Sequence, residues 1–126
     1  MTAAIGAVVV SHDSAADLPA CLEALLAAEG VERVVVVDNA SRDGSADMVE
    51  AKFPQARLIR NPRNVGFSAG NNVALRLVTG RHVLLLNTDT VVRRDTLRRM
   101  VEFMDAHPEA GASGCRILNP DGSLQL

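Results

Sequence analysis

Three short polar strings, each placed directly after a run of aliphatic residues, hold the groups in this 126-residue chain best suited to chemistry. Ser11-His12-Asp13-Ser14 follows the run from Ile5 to Val10. Asp38-Asn39-Ala40-Ser41 follows Val31 to Val37, and Asn87-Thr88-Asp89 follows His82 to Leu86. Carboxylates are pure hydrogen-bond acceptors, whereas amides and hydroxyls both give and take hydrogen bonds. The strings therefore suit a polar ligand. Continuous β-branched runs read as strands buried on both faces of a parallel sheet. In such sheets ligands bind outside the carboxyl ends of the strands, near the point where strand order reverses.

The elements that must carry these strings alternate along the whole chain. Ile5 to Val10 is a strand. Asp17 caps a helix whose apolar face holds Leu18, Cys21, Leu22, Leu25 and Leu26, ending at Gly30. Val31 to Val37 is a second strand, Asp43 to Lys52 a short helix, and Ala56 to Arg60 a third, weaker strand. After the loop Asn61 to Gly66 come a helix from Phe67 to Thr79 and a fourth strand, His82 to Leu86. A helix follows from Asp95 to His107, with Leu97, Met100, Val101 and Met104 inward. Gly111 to Leu118 is expected as a fifth strand and Asn119-Pro-Asp-Gly122 as a turn. Alternation of this kind predicts an α/β fold, Rossmann-like, with a mostly parallel sheet and right-handed crossovers. The length fits one domain, residues 1–126, and a turn so close to the last residue predicts that the sheet continues past it.

Composition removes several classes of function. Net charge is −2 and aromatic content is 2%, so a phosphate-tracking or base-stacking nucleic-acid surface is not expected. Two cysteines far apart make neither a zinc site nor a disulfide framework, and both read as small buried groups. No secretory leader or membrane span is recognisable, so the expected compartment is the cytoplasm. A dinucleotide fold needs glycines in the turn after the first strand, where the backbone approaches the pyrophosphate. That turn here is Ser-His-Asp-Ser.

Four ordered blocks carry a resemblance that covers nearly the whole chain. They are Val-Val-Val-Val-Asp38-Asn39-Ala40-Ser41-Arg-Asp43-Gly44-Ser45, Asn64-Val-Gly66-Phe67-Ser-Ala-Gly70-Asn71-Asn72, Leu-Leu-Leu86-Asn87-Thr88-Asp89 and Asn119-Pro-Asp-Gly-Ser-Leu-Gln125. The sequence resembles the family 2 glycosyltransferases, and within them the rhamnosyltransferase type. That resemblance implies a GT-A fold of sheet order 3-2-1-4, with Asp38 contacting the nucleoside base of a UDP- or dTDP-sugar. It implies that Ser11 and His12 pack near the nucleoside. Asp89 would hold Mg²⁺ or Mn²⁺ on the diphosphate, because both ions accept carboxylate and phosphate oxygens. Asn87 stands where many relatives carry a first acid, and it is left to contact nucleotide or sugar. In that order Asp38 and Asp89 lie two strand spacings apart, about 10 Å.

Plainer roles remain open. Asp38 and Asn39 can cap a turn, and Asp43-Gly44-Ser45 reads as a turn and helix start. Asn64 and Gly66 either line the pocket through backbone N–H groups or simply shape a turn. Arg93, Arg94, Arg98 and Arg99 read as a solvated face, with diphosphate contact as the sharper option. His82 and His107 read as structural. The activity implied is inverting sugar transfer to a saccharide or lipid-linked acceptor, which takes place at the inner face of a membrane when the acceptor is lipid-linked. Inversion needs a general base, and no residue here matches the family's. The alternative is a non-catalytic nucleotide-binding module. By itself the chain is expected to transfer no sugar and to self-associate, as a homodimer, through Gly111 to Leu126.

Overall fold

A computed structural model describes residues 4–126. Four strands form one parallel sheet: β1 (Ile5–Ser11), β2 (Val31–Asn39), β3 (Arg57–Asn61) and β4 (His82–Leu86). Their order is β3-β2-β1-β4, so the chain reverses direction across the sheet at β1. Four helices alternate with them: α1 (Leu18–Ala27), α2 (Ser45–Lys52), α3 (Phe67–Leu75) and α4 (Thr96–Ala106). Parallel neighbours need a crossover between them, which the helices supply.

Both faces of β1 and β2 are covered. Ala7, Val9, Val34 and Val36 pack with Leu18, Cys21, Leu22 and Leu25 of α1, Val49 of α2, and Leu97 and Val101 of α4. Val8, Val35 and Val37 face the other way and meet Ala74 of α3. Two-sided burial explains why these strands read as unbroken apolar runs. Met100 supports the larger cluster from a partly buried position.

One glycine in β1 is required by close approach. A Cβ on Gly6 would lie 2.3 Å from Val78 Cγ1 and 2.7 Å from the Thr79 carbonyl oxygen. That packing coincides with the end of α3 at Leu75, four residues short of the expected Thr79. The N–H groups of Leu77 and Val78 both close on the Ala74 carbonyl, and the chain then turns across β1.

Three further expectations need correction. Gly111 to Leu118 forms no sheet strand; it is exposed and makes only an isolated antiparallel bridge, Leu118 to Leu124, around the expected Asn119–Gly122 turn. A strand needs a ladder partner, and none of the four sheet strands offers one to this segment. Cys115, on the same segment, is therefore exposed, whereas Cys21 is buried as expected. Asp17 precedes α1 but makes no side-chain capping bond. Its place is set by backbone bonds from Asp17 and Leu18 N–H to the Ser14 carbonyl. An N-cap acid ordinarily contributes about 0.5–2 kcal/mol. Without the capping bond, Asp17→Ala is expected to cost under about 0.5 kcal/mol, in the range of ordinary surface changes. Urea denaturation checks this, and a loss above about 1 kcal/mol would contradict it.

Three of the four arginines at the start of α4 are ion-paired on the surface. Arg98 pairs with Glu29 and Glu102, Arg99 with Asp95, and Arg94 with Glu29. His82 lies 3.6 Å from Asp105, and His107 stacks on Phe103 with centroids 4.3 Å apart. Among the described residues no helix is long and apolar enough to cross a membrane.

Candidate nucleotide-sugar site

The sheet order brings the three polar strings to one edge, at the carboxyl ends of β2, β1 and β4, with β1 central. Ser11 is paired in register with Asp38. Both are buried, and both lie on the sheet face shared by Val9 and Val36. The Asp38 Oδ2 accepts the Ser41 N–H at 3.0 Å, closing a turn. Its Oδ1 and the Ser11 Oγ are buried without hydrogen-bond partners. Buried polar atoms are rarely left unsatisfied, because desolvation then goes uncompensated. Ser11 Oγ and Asp38 Oδ1 stand at adjacent register positions, and His82 Nε2 is the third such atom among the described residues.

Asn39 faces the opposite side, towards α3, and is 2% exposed. Its amide nitrogen donates to the Gly66 carbonyl at 3.0 Å, and its Oδ1 accepts from Asn61 Nδ2 at 2.8 Å. His12 Nδ1 meets the Asn39 carbonyl at 2.8 Å, which assigns the proton to that nitrogen. The His12 ring itself is exposed, and its Nε2 lies 3.4 Å from Asp13 Oδ2. Asn64 bonds its own turn, its Oδ1 accepting the Gly66 N–H at 2.9 Å. Gly66 has φ +86°, so this turn before α3 favours glycine. Behind it a Cβ on Gly70 would touch Val10 Cγ1 at 3.0 Å and Asn39 Nδ2 at 3.2 Å. Ser11, His12, Asp38, Asn39, Asn64 and Gly66 are thus joined through β1, β2 and the β3–α3 loop.

The β4 end stands on the far side of β1. Asn87 and Asp89 are exposed, and Thr88 is half-buried, its hydroxyl donating to Ser14 Oγ at 3.2 Å. Cys21 lies beneath this loop, its thiol 3.6 Å from the Asn87 carbonyl. Burial, and then the negative charge of Asp89, push that thiol up to about 11, so it stays protonated and inert. Among the described residues, no three His, Cys, Asp or Glu side chains converge on one point. A single exposed carboxylate fits Mg²⁺ or Mn²⁺ completed by diphosphate and water, and does not fit an all-protein cage.

Sequence reasoning missed the contacts that hold the loops together. Asp13 Oδ1 accepts the Arg42 N–H at 2.7 Å, and the Asp13 N–H donates to Ser41 Oγ at 2.9 Å. Asp43 Oδ2 accepts the Ala15 N–H at 2.9 Å, while its Oδ1 takes the Ser45 backbone N–H and hydroxyl. The Ser45 bond, followed by the Ala15 bond, lowers the Asp43 carboxyl below its ordinary value. Asp43 therefore starts α2 and ties it to the β1–α1 loop, the structural role its string suggested. Positive φ at Asp13 (+48°) and Ala40 (+56°) was the missing signal, and no residue pattern announces a left-handed alanine.

A glycosyl transferase family 2 model matches residues 7–125. The chain belongs to that family. Succinoglycan biosynthesis protein ExoO of Rhizobium meliloti is 41% identical over 101 residues, covering 79% of this chain and 29% of that protein. The N-acetylglucosaminyl-diphospho-decaprenol L-rhamnosyltransferase of Mycobacterium tuberculosis is 26% identical across 98% of the chain and 44% of its own length. The family 2 chain thus spans under half the length of either relative. Among solved structures, the mannosyltransferase PcManGT from Pyrobaculum calidifontis, in complex with GDP-Man and Mn²⁺, has a TM-score of 0.82 at 28% identity. It matches 96% of this chain and 37% of that one. Residues 1-349 of S. aureus TarS in complex with UDP-GlcNAc have a TM-score of 0.73 at 25% identity, over 86% of this chain and 32% of that fragment. The GT-A fold expected of a family 2 member is the fold observed.

Proposed function

We propose that this family 2 chain binds a UDP- or dTDP-sugar across the carboxyl ends of β2, β1 and β4, for inverting transfer to a saccharide or lipid-linked acceptor. The observation that carries the reading is the unpartnered pair, Asp38 Oδ1 and Ser11 Oγ, at the point of strand reversal. A uracil or thymine ring N–H is a donor suited to that carboxylate. His12 and Asn39 border the nucleoside from the α3 side, with Asn64 and Gly66 beyond them. The diphosphate then extends over β1 towards Asn87 and Asp89, a span of about two strand spacings, roughly 10 Å. Asp89 would anchor Mg²⁺ or Mn²⁺ there, and the ion supplies charge neutralisation for the leaving diphosphate. The Mn²⁺ and nucleotide-sugars of the PcManGT and TarS structures support this reading.

The same reading assigns the protein to the cytoplasm, at the inner face of the membrane when the acceptor is lipid-linked. Exposed Val83, Leu85, Ile117 and Leu124 support self-association as a homodimer.

Asp38→Asn tests the base contact. It turns one acceptor oxygen into a donor facing a donor, so UDP binding should weaken by about 1–3 kcal/mol, the range for hydrogen bonds to charged groups. Calorimetric titration with UDP, dTDP and GDP reads both the loss and the choice of base. Wild-type affinity in a folded Asp38→Asn variant would remove Asp38 from the pocket.

A further inference from the structure

We propose that Asp13 is the positioning residue of the nucleotide pocket, holding the β2–α2 loop in binding geometry without touching the ligand. The inference rests on the pocket assigned above and deepens it. Asp13 follows β1 with φ +48°, a left-handed conformation that Asp tolerates better than most residues. In that conformation its backbone and its carboxylate both turn towards the neighbouring loop. Its N–H donates to Ser41 Oγ at 2.9 Å, Oδ1 accepts the Arg42 N–H at 2.7 Å, and Oδ2 stands 3.4 Å from His12 Nε2.

What needs holding is Ala40. Alanine at φ +56° is strained and has no side chain with which to stabilise itself, so its surroundings must impose the conformation. The restraints come from the flanking residues. Asp38 Oδ2 takes the Ser41 N–H on one side, and Asp13 engages Ser41 and Arg42 on the other. Asp13 and Ala40 lie in the two loops that leave β1 and β2, next to His12, Asp38 and Asn39. A loop fixed before the ligand arrives avoids an ordering cost on binding. The geometry of Asp13 thus adds affinity for the nucleotide through the loop that its Oδ1 and N–H hold.

The test compares UDP binding with Mn²⁺ by calorimetry, and amide exchange at Ser41 and Arg42, in the full 126-residue chain and its variants. Asp13→Gly accepts the left-handed backbone but loses the carboxylate. It should weaken UDP about tenfold, the worth of one charge-assisted hydrogen bond, and speed exchange at Arg42. Asp13→Asn keeps an acceptor for Arg42 and should stay within about threefold of wild type, a difference near 0.7 kcal/mol. Ser41→Ala removes only the hydroxyl facing the Asp13 N–H and carries the same comparison should the glycine variant not fold. A folded Asp13→Gly variant that binds UDP as well as wild type overturns the positioning role alone. An Asp13→Asn variant as weak as Asp13→Gly overturns it too. Wild-type protein that binds neither UDP nor dTDP overturns the pocket assignment, and the positioning role with it.

Discussion

Asp89→Ala is expected to erase the metal dependence of nucleotide binding. In wild-type protein Mn²⁺ should tighten UDP by at least about tenfold, or 1.4 kcal/mol. In the variant, affinity with and without Mn²⁺ should coincide. The reason is the sparse donor set. Among the described residues no cluster of three or more acids, histidines or cysteines could hold the ion, so removing Asp89 takes away a large share of its protein ligands. The thiol of Cys21 gives a second readout, because the Asp89 charge contributes to raising it. The variant should bring that thiol down from about 11, but only in part, since burial is the larger cause. Calorimetry with and without Mn²⁺ decides the main point: equal affinities in the wild type would dismiss the metal role.

Gly6→Ala is expected to destabilise the fold strongly. The new Cβ would meet Val78 Cγ1 at 2.3 Å and the Thr79 carbonyl at 2.7 Å. The valine can rotate, but the carbonyl belongs to backbone that leads into β4. Gly6 cannot retreat either, since β1 is bonded to β2 on one side and to β4 on the other. Overpacking of this kind costs about 3 kcal/mol, the upper part of its usual range. That lowers the melting midpoint by about 10 °C for a domain of this size. Gly111→Ala is the control, since a Cβ added there would meet nothing within 4 Å and its φ is ordinary. Matching thermal midpoints for the two variants would refute the packing argument at β1.

How much of this was legible beforehand follows the range of the interactions involved. Val34 to Val37 announced a buried strand because burial on both faces imposes an apolar residue at every position. Leu18, Leu22 and Leu25 announced α1 because helical spacing repeats locally. The polar ends of β1, β2 and β4 could be named as a site because strand ends are visible as changes in residue type. Gly111 to Leu118 reads as a strand by the same local signs and is not one, because a strand also needs a neighbour that its own residues cannot supply. The expectation of a buried Cys115 fails with it, and that thiol is exposed for the same reason.

By itself the sequence determined the alternation of elements, their parallel sense, the family, and the polar strings Ser11 to Ser14, Asp38 to Ser41 and Asn87 to Asp89. These are matters of local pattern. Only the tertiary structure decided that Asp38 is buried with one oxygen unpartnered and that Asn39 braces Asn61 and Gly66. It alone showed that Asp13 reaches Arg42 across 29 positions of chain and that Gly6 must lack a side chain. Each of these depends on atoms brought together by strand order. Neither hydrophobic period nor turn chemistry records which distant loop a given carboxylate will face.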